Sequence, residues 1–480
     1  MSMKRMIFVG LCALAAACCA SLTVAAQERN MARLVDEDTT FVDVSLGLSG
    51  ATGQLKDIYA PQTVLGGGLT ASSRRRVDDV RLYGRFGYGY DYGLGSTWRG
   101  WVDPYSTPFM LADSIPGSLS LEKYSLQAGA GVPLAGGRWA LGIDVAYDVA
   151  LMAKHRDLRN KNTLMVFRVA PGVRWRPSSS FALGLDLGYE RGTEKVEYSQ
   201  ESTSQEHVLF DIYGLWLCQA NGFASAENRR MKEDDRFYGD FQLDLDFGAV
   251  SLHNNLRGSW LRGVQGETGY NGLESGTSRS WTWSDGLVLQ LGRAHVVEAS
   301  ATWSTMQGFR PLQRQELDPD SRIRIWKTYG DPVFCYFREY HAERLAYTWG
   351  TSWKLRAEVE NWHAWHVYSE YPQHFRQKLG CLTPRIGVEI PLGNFVAEPS
   401  VGYARDYDSF TDVTELQLAA PLLRQWDYWD GDSYLASLGL RWMADGGRTY
   451  VRARYDFEAS TSADADGYRH SLAVVVGFVF

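Results

Sequence analysis

Ser251, His253 and Asn255 stand two residues apart, and a hydroxyl, an imidazole and an amide are the types from which a nucleophile, its base and an orienting group are made. On an extended strand that spacing puts all three on one face, side by side, where hydrogen-bond reach between them is poor. The set therefore reads as the polarity of one strand face. His363 and His366, three apart, fall on opposite faces of a strand and make no metal pair. Asp427, Asp430 and Asp432, and Asp464 with Asp466 before Gly467, offer carboxylates for a divalent cation but lack the full ligand series of a calcium loop. Trp98, Trp101, Tyr105 and Phe109, and again Trp426, Tyr428 and Trp429, gather aromatic rings in loops, where rings either stack on a sugar or partner or pack the loops together. No constellation amounts to a catalytic or metal site and no cofactor motif occurs, so the expectation is a protein that is not an enzyme.

More chemistry resides in charges set at every second position of long alternating segments. Asp144, Asp148, Arg168, Arg174, Asp186, Glu190, Asp240, Asp244, Arg257, Glu298, Arg385, Glu389, Arg452 and Arg454 all fall on the face opposite the apolar one, as do Asp246, Arg344, Glu398, Arg441, Asp456 and Glu458. Unpaired charges do not survive in a dry interior. Either they pair across strands and stiffen the structure, or they line a wet, solute-selecting pathway.

The elements that carry them are strands. In residues 139–151, Trp139, Leu141, Ile143, Val145, Tyr147 and Val149 alternate with Ala140, Gly142, Asp144, Ala146, Asp148 and Ala150. Residues 181–191 repeat the pattern with Leu183, Leu185 and Leu187 against Gly184, Asp186 and Gly188. About sixteen such segments run from 79–92 to 468–480, each roughly nine to fourteen residues, the length a tilted strand needs to cross a bilayer. Their connections alternate too. Tight turns at 134–138, 177–180, 248–249, 292–294, 350–352, 393–394 and 443–447 alternate with longer loops such as 93–120, 152–162, 192–235, 307–340, 366–381 and 408–433. Short inner turns against long outer loops predict an all-β, antiparallel, up-and-down transmembrane barrel with both termini in the periplasm. Residues 41–48 also alternate, and pairing with 62–70 would raise the number of strands from sixteen to eighteen. Otherwise residues 27–78 form an extension or plug-like segment before a barrel over 79–480.

The ends and composition agree. Lys4 and Arg5 precede an apolar run that closes on Val24-Ala25-Ala26, the order of a secretory signal peptide cleaved after Ala26. A lipoprotein signal fits less well, since Ala15 and Ala16 stand where Leu or Val would precede Cys18 and Cys19. Loss of residues 1–26 takes the formal charge from −7 to −9, which gives no footing for nucleic acid. Three cysteines remain, Cys218, Cys335 and Cys381, an odd number that excludes a disulfide framework and allows one bridge at most. Glycine (48), tyrosine (26), tryptophan (17) and phenylalanine (20) supply strand and interfacial residues in quantity.

At the carboxy terminus Leu472, Val474, Val476, Phe478 and Phe480 alternate with Ser471, Ala473, Val475, Gly477 and Val479, and the chain stops on Phe480. This strand resembles the terminal strand of bacterial outer-membrane β-barrel proteins, and the layout resembles an uncharacterised large-barrel family. The resemblance implies export, assisted insertion with Phe478 and Phe480 read by the barrel-assembly machinery, contact with outer-membrane lipid, and localisation to that membrane. It names no cargo. The expected function is a channel or transport-associated barrel for a polar solute, with a non-conducting barrel that partners a surface or uptake protein as the alternative.

Overall fold

Alternation of apolar and polar residues over so many segments leaves one closed solution, a wall whose apolar side faces outward. The computed structural model describes residues 30–36, 39–202, 207–214, 217–222, 228–266, 274–320, 322–370, 373–413, 431–461 and 467–480. Eighteen antiparallel wall strands follow one another in chain order. The first nine are β1 (Phe41–Gly53), β2 (Thr63–Val77), β3 (Val80–Ser96), β4 (Gly117–Leu134), β5 (Trp139–Lys154), β6 (Arg159–Ser178), β7 (Phe181–Ser199), β8 (Asn228–Asp246) and β9 (Val250–Gly266). The second nine are β10 (Glu274–Leu291), β11 (His295–Arg310), β12 (Val333–Trp349), β13 (Lys354–Glu370), β14 (Gln373–Leu392), β15 (Phe395–Asp406), β16 (Ser433–Ala444), β17 (Thr449–Ser460) and β18 (Tyr468–Val479). Beyond a break at Asp408, in the left-handed region at φ 60°, Phe410–Val413 continues β15 along β14. β18 pairs with β17 and, from Val479 opposite Asp43 to Arg469 opposite Gly53, with β1. That pairing closes the barrel and leaves no edge, as a sheet in hydrocarbon requires.

The hairpin of residues 41–77 is thus the first pair of wall strands, and the number of strands is eighteen. The chain before it does something different: Met31–Asp36 forms a short 3-10 turn inside the wall. All seven tight turns lie where the alternation stops, with an eighth at Asp78-Asp79. Gly136 and Gly446 both sit at φ 68°, a conformation that glycine takes without a Cβ clash.

Several predicted loops are corrected. Residues 366–381 are mostly strand, since β13 runs to Glu370 and β14 starts at Gln373. Most of 152–162 is likewise strand, and the 192–235 loop shrinks because β7 continues to Ser199 and β8 begins at Asn228. Beyond the bilayer there is no lipid to demand an apolar outer face, so ladder pairing continues while the sequence pattern that reveals it is lost.

Leu187 is 60% exposed on the outer face, whereas Asp186 beside it is 1% exposed on the inner one. Rings form two belts around the outside. Tyr189, Phe237, Trp260 and Trp281 touch in succession across β7 to β10 near the outer end. Trp139, Trp175 and Phe181 do so near the turns. Two belts with aliphatic residues between them mark the two faces of a bilayer.

A paired substitution tests this assignment of faces. Leu185→Arg puts a cation into hydrocarbon and is expected to destabilise the inserted barrel by about 2–4 kcal/mol if the site lies near the midplane. Asp186→Asn is expected to be neutral or stabilising, because both Asp186 oxygens lack a hydrogen-bond partner and the residue stands opposite Asp240 in register. Urea titration of the two variants in lipid measures the difference. Equal losses would mean that the faces are reversed.

Candidate functional site

The candidate site is the lumen, and its inner end is shaped by glycine. Gly131, Gly142 and Gly172 face one another directly across β4, β5 and β6. Together with Gly129 they leave a channel without side chains on the inner face, and the 3-10 turn occupies it. Met31 fills the places where Cβ atoms of Gly129 and Gly131 would be, the Ala32 N–H fills that of Gly142, and the Asn30 side chain lies over Gly172 and Gly184. Met31, Leu34 and Tyr83 make a small apolar cluster there.

Charges hold the turn in place. Arg33 approaches Asp244 at 3.6 Å, and Arg174 donates to Asp244 at 2.7 Å and to Asp36 at 2.5 Å. Arg176 reaches Asp36 at 2.8 Å. His253 lies 2.6 Å from Asp244, so its ring is held by a carboxylate on the neighbouring strand instead of by Ser251. The Ser251, His253, Asn255 row assembles no catalytic set.

A substitution at the cradle reads out the seat. Gly142→Leu is expected to displace the turn without opening the wall, so that a Met31→Cys thiol reacts faster with a membrane-impermeant reagent in that background while heat-modifiable mobility persists. Unchanged thiol reactivity would refute the seating.

The remaining charges divide by side. On β5 to β9, Asp144 accepts from Gln127 at 2.8 Å and meets Arg168 at 3.4 Å, Asp240 meets Arg257 at 3.8 Å, and Glu190 accepts from Arg236 at 2.9 Å. Asp148 is half-buried on the same face. The Asp144 side chain is 1% exposed and that of Arg174 6%. On β11 to β17, Glu298 pairs with Arg356, Arg344 donates to Glu358 at 2.8 Å, and Arg385 stands opposite Glu358. Glu389 is shared by Lys354 at 3.1 Å and Arg441 at 3.4 Å. Arg452 lies over the Tyr450 ring and Arg454 donates to Asp456 at 2.8 Å. Arg344 and Glu358 are largely buried, at 17% and 10%, but toward β15 and β17 the side chains are wet, with Glu398 46% and Arg454 56% exposed. One side of the lumen is covered by the amino-terminal turn; the other is a solvated vestibule of both signs.

The outer half is filled by loops, which sequence reasoning did not foresee. Phe109–Asp113, Val208–Tyr213 and Leu217–Gly222 form a three-stranded sheet separate from the wall. The β3–β4 loop is bound to strand after strand of the wall: Lys154 donates to Asp113 at 2.6 Å, Asn162 to the Gly100 carbonyl at 2.8 Å, and Lys232 to Ser106 at 2.7 Å. The Val102 N–H donates to Glu194 at 2.7 Å, and Arg338 to the Tyr105 carbonyl at 3.1 Å. Trp98, Trp101 and Phe109 are buried in this packing and so present no face to a sugar. A second apolar cluster, with Leu55, Phe109, Tyr336, Trp362, Tyr368 and Phe375, joins the β1–β2 loop to β12–β14. In the same β1–β2 loop, burial pushes the Asp57 carboxyl above its ordinary range, although hydrogen bonds from Tyr105 and Tyr59 act the other way. The signal for this plug was the inward parity of Tyr336, Trp362 and Tyr368, where the lower wall carries charge.

His366 is buried inside and His363 faces outward. Cys218, Cys335 and Cys381 are buried thiols, none of them in a disulfide. Asp432 accepts from Tyr403 and from the Asp406 N–H. Residues 1–26, Trp426, Asp427, Tyr428, Trp429, Asp430, Asp464 and Asp466 lie outside the described residues. Among the described residues no group of three or more His, Cys, Asp or Glu is arranged to hold a metal ion.

Comparison with known proteins gives a family and a layout. Residues 31–480 match one family model, "Family of unknown function (DUF6850)". No curated protein matches the sequence. Among solved structures, the ferric preacinetobactin receptor BauA from Acinetobacter baumannii superposes with a TM-score of 0.44 at 9% identity, covering 92% of this chain and 80% of that one. The copper transporter OprC gives 0.44 at 8% identity over 92% and 82%. A Pseudomonas aeruginosa FadL homologue gives 0.37 at 11% identity over 94% and 92%. Superposition at this level lends this chain no cargo and no mechanism.

Proposed function

The chain belongs to the DUF6850 family, and from its own geometry we propose that it is an outer-membrane, transport-associated barrel that admits a polar solute through a lumen gated by its own outer loops. One observation carries this reading: the inner face of β11 to β17 is charged in both signs and is solvent-reachable at Glu398 and Arg454, the latter more than half exposed. An interior built only to stiffen the wall has no need of solvent-reachable charge, whereas a pathway for polar solutes does. Barrels of sixteen to eighteen strands are wide enough to hold such a pathway. Export with a cleaved signal peptide and insertion by the barrel-assembly machinery complete the proposal.

The alternative, a non-conducting barrel that partners a surface or uptake protein, draws support from the loop sheet that fills the outer half. Current across a planar bilayer separates the two. The transport reading expects small or intermittent current from the wild-type chain, with an ion selectivity that Arg452→Glu together with Arg454→Glu shifts toward cations. Absence of current both from wild type and from a chain with a shortened β3–β4 loop would overturn it in favour of the alternative.

A further inference from the structure

The outer wall is apolar nearly all the way round, with one exception. Six residues above the inner turns, other strands present Val145, Leu187 and Leu438 to lipid. At the same depth β10 presents Asp285, β12 Glu343 and β13 Asn361. They lie in one cross-strand row, Asp285 opposite Ala301, Ala301 opposite Glu343 and Glu343 opposite Asn361. Asp285 and Glu343 are exposed, one row below the Trp283, Trp303 and His341 level. Ala299 and Ala301 make β11 a recess beside them, part of a groove of about 730 Å³. Asp285 already accepts from the Asn254 amide of β9 at 2.7 Å, so the demand falls on Glu343: an ionisable residue on a membrane-facing surface is costly to leave in lipid and marks a contact that supplies its partner.

We propose that this face, β10 to β15, is where a second copy of the chain packs, about a two-fold axis along the membrane normal that passes between Glu343 and Asn361. Such an axis brings Glu343 of each copy to Asn361 of the other. The Asn361 carbonyl already accepts from the Tyr407 hydroxyl, which leaves its NH₂ as the donor that the carboxylate needs. The same operation sets the β11 recess of one copy against β14 of the other. There Ile386 is an exposed ridge six residues above its own turn, as Ala301 is above its turn. Small residues facing a ridge, and a carboxylate facing an amide, make the surface self-complementary, which a two-fold contact requires. An acyl chain would fill the recess and leave Glu343 without a donor. This inference is independent of whether the lumen conducts.

The test combines mass and cross-linking on the full chain in lipid nanodiscs and in native mass spectrometry. The expected result is a dimer. With Glu343→Cys a short bifunctional thiol reagent should join two copies, whereas Leu187→Cys, on β7 and outside the proposed face, should not; the native thiols are buried and add no background. Glu343→Leu should lower the dimer fraction by about tenfold while heat-modifiable mobility, the mark of a folded barrel, is kept. A monomer at every concentration would overturn the proposal, as would equal cross-linking at Leu187→Cys. Cross-linking of Glu343→Cys to a protein of different mass would replace the second copy with another partner.

Discussion

A chain cut after Ser471 is expected to yield no inserted barrel at all. The lost residues include most of β18, whose ladder with β17 on one side and β1 on the other is the seam of the wall. Without it two strands face lipid with open backbone groups, each costing several kcal/mol in hydrocarbon. Electrophoretic heat-modifiability and protease resistance of the membrane fraction read the outcome, and a folded truncated product would show that the seam closes in some other way. Deletion of Phe480 alone is the finer test. Its N–H donates to the Val42 carbonyl at 2.8 Å and its carbonyl accepts from Val42 at 3.1 Å, so two bonds at the inner end of the seam are lost there. Because that end is close to water, refolding into detergent or lipid should survive while delivery in cells falls, as expected if the assembly machinery reads the terminal aromatic. Normal delivery combined with failed refolding would make Phe480 a structural residue only.

Shortening the β3–β4 loop is expected to produce the largest change in permeability. Ser96 stands opposite Gly117, so an Asn-Gly turn can replace residues 97–116 without disturbing the ladder. The change removes Trp98, Trp101, Phe109 and one strand of the inner sheet, and with them the bonds that Lys154, Asn162, Lys232 and Arg338 make to the loop. Single-channel conductance is expected to rise by about an order of magnitude or more, toward that of an open large barrel. Folding is checked independently by heat-modifiability. If wild type conducts and the folded variant conducts no better, the other loops or the amino-terminal turn close the path by themselves; if neither conducts, the non-conducting alternative stands. Adding Gly142→Leu to the shortened chain identifies which of the two does so.

The wall was legible in the sequence because its cause is local. Leu185 and Asp186 are assigned to lipid and lumen by position alone, since each strand residue meets one solvent or the other and the period is two. The seven tight turns were legible for the same reason, as the places where alternation stops and Gly, Ser, Asn or Asp enters. What the tertiary structure decided is everything that depends on which strands become neighbours. The hairpin of residues 41–77 alternates whether or not it joins the wall, and only the Val479–Asp43 register makes the strands eighteen. Gly131, Gly142 and Gly172 are unremarkable one at a time and become a cradle only when three strands align them. Tyr336 and Tyr368 looked like loop residues, and Trp362 lay on a predicted strand with its role unseen, because the rule of apolar outside holds only where lipid imposes it. Above the membrane the inner face is covered by loops distant in sequence, and the same aromatic residues that would mark an outer face below form the core of a plug.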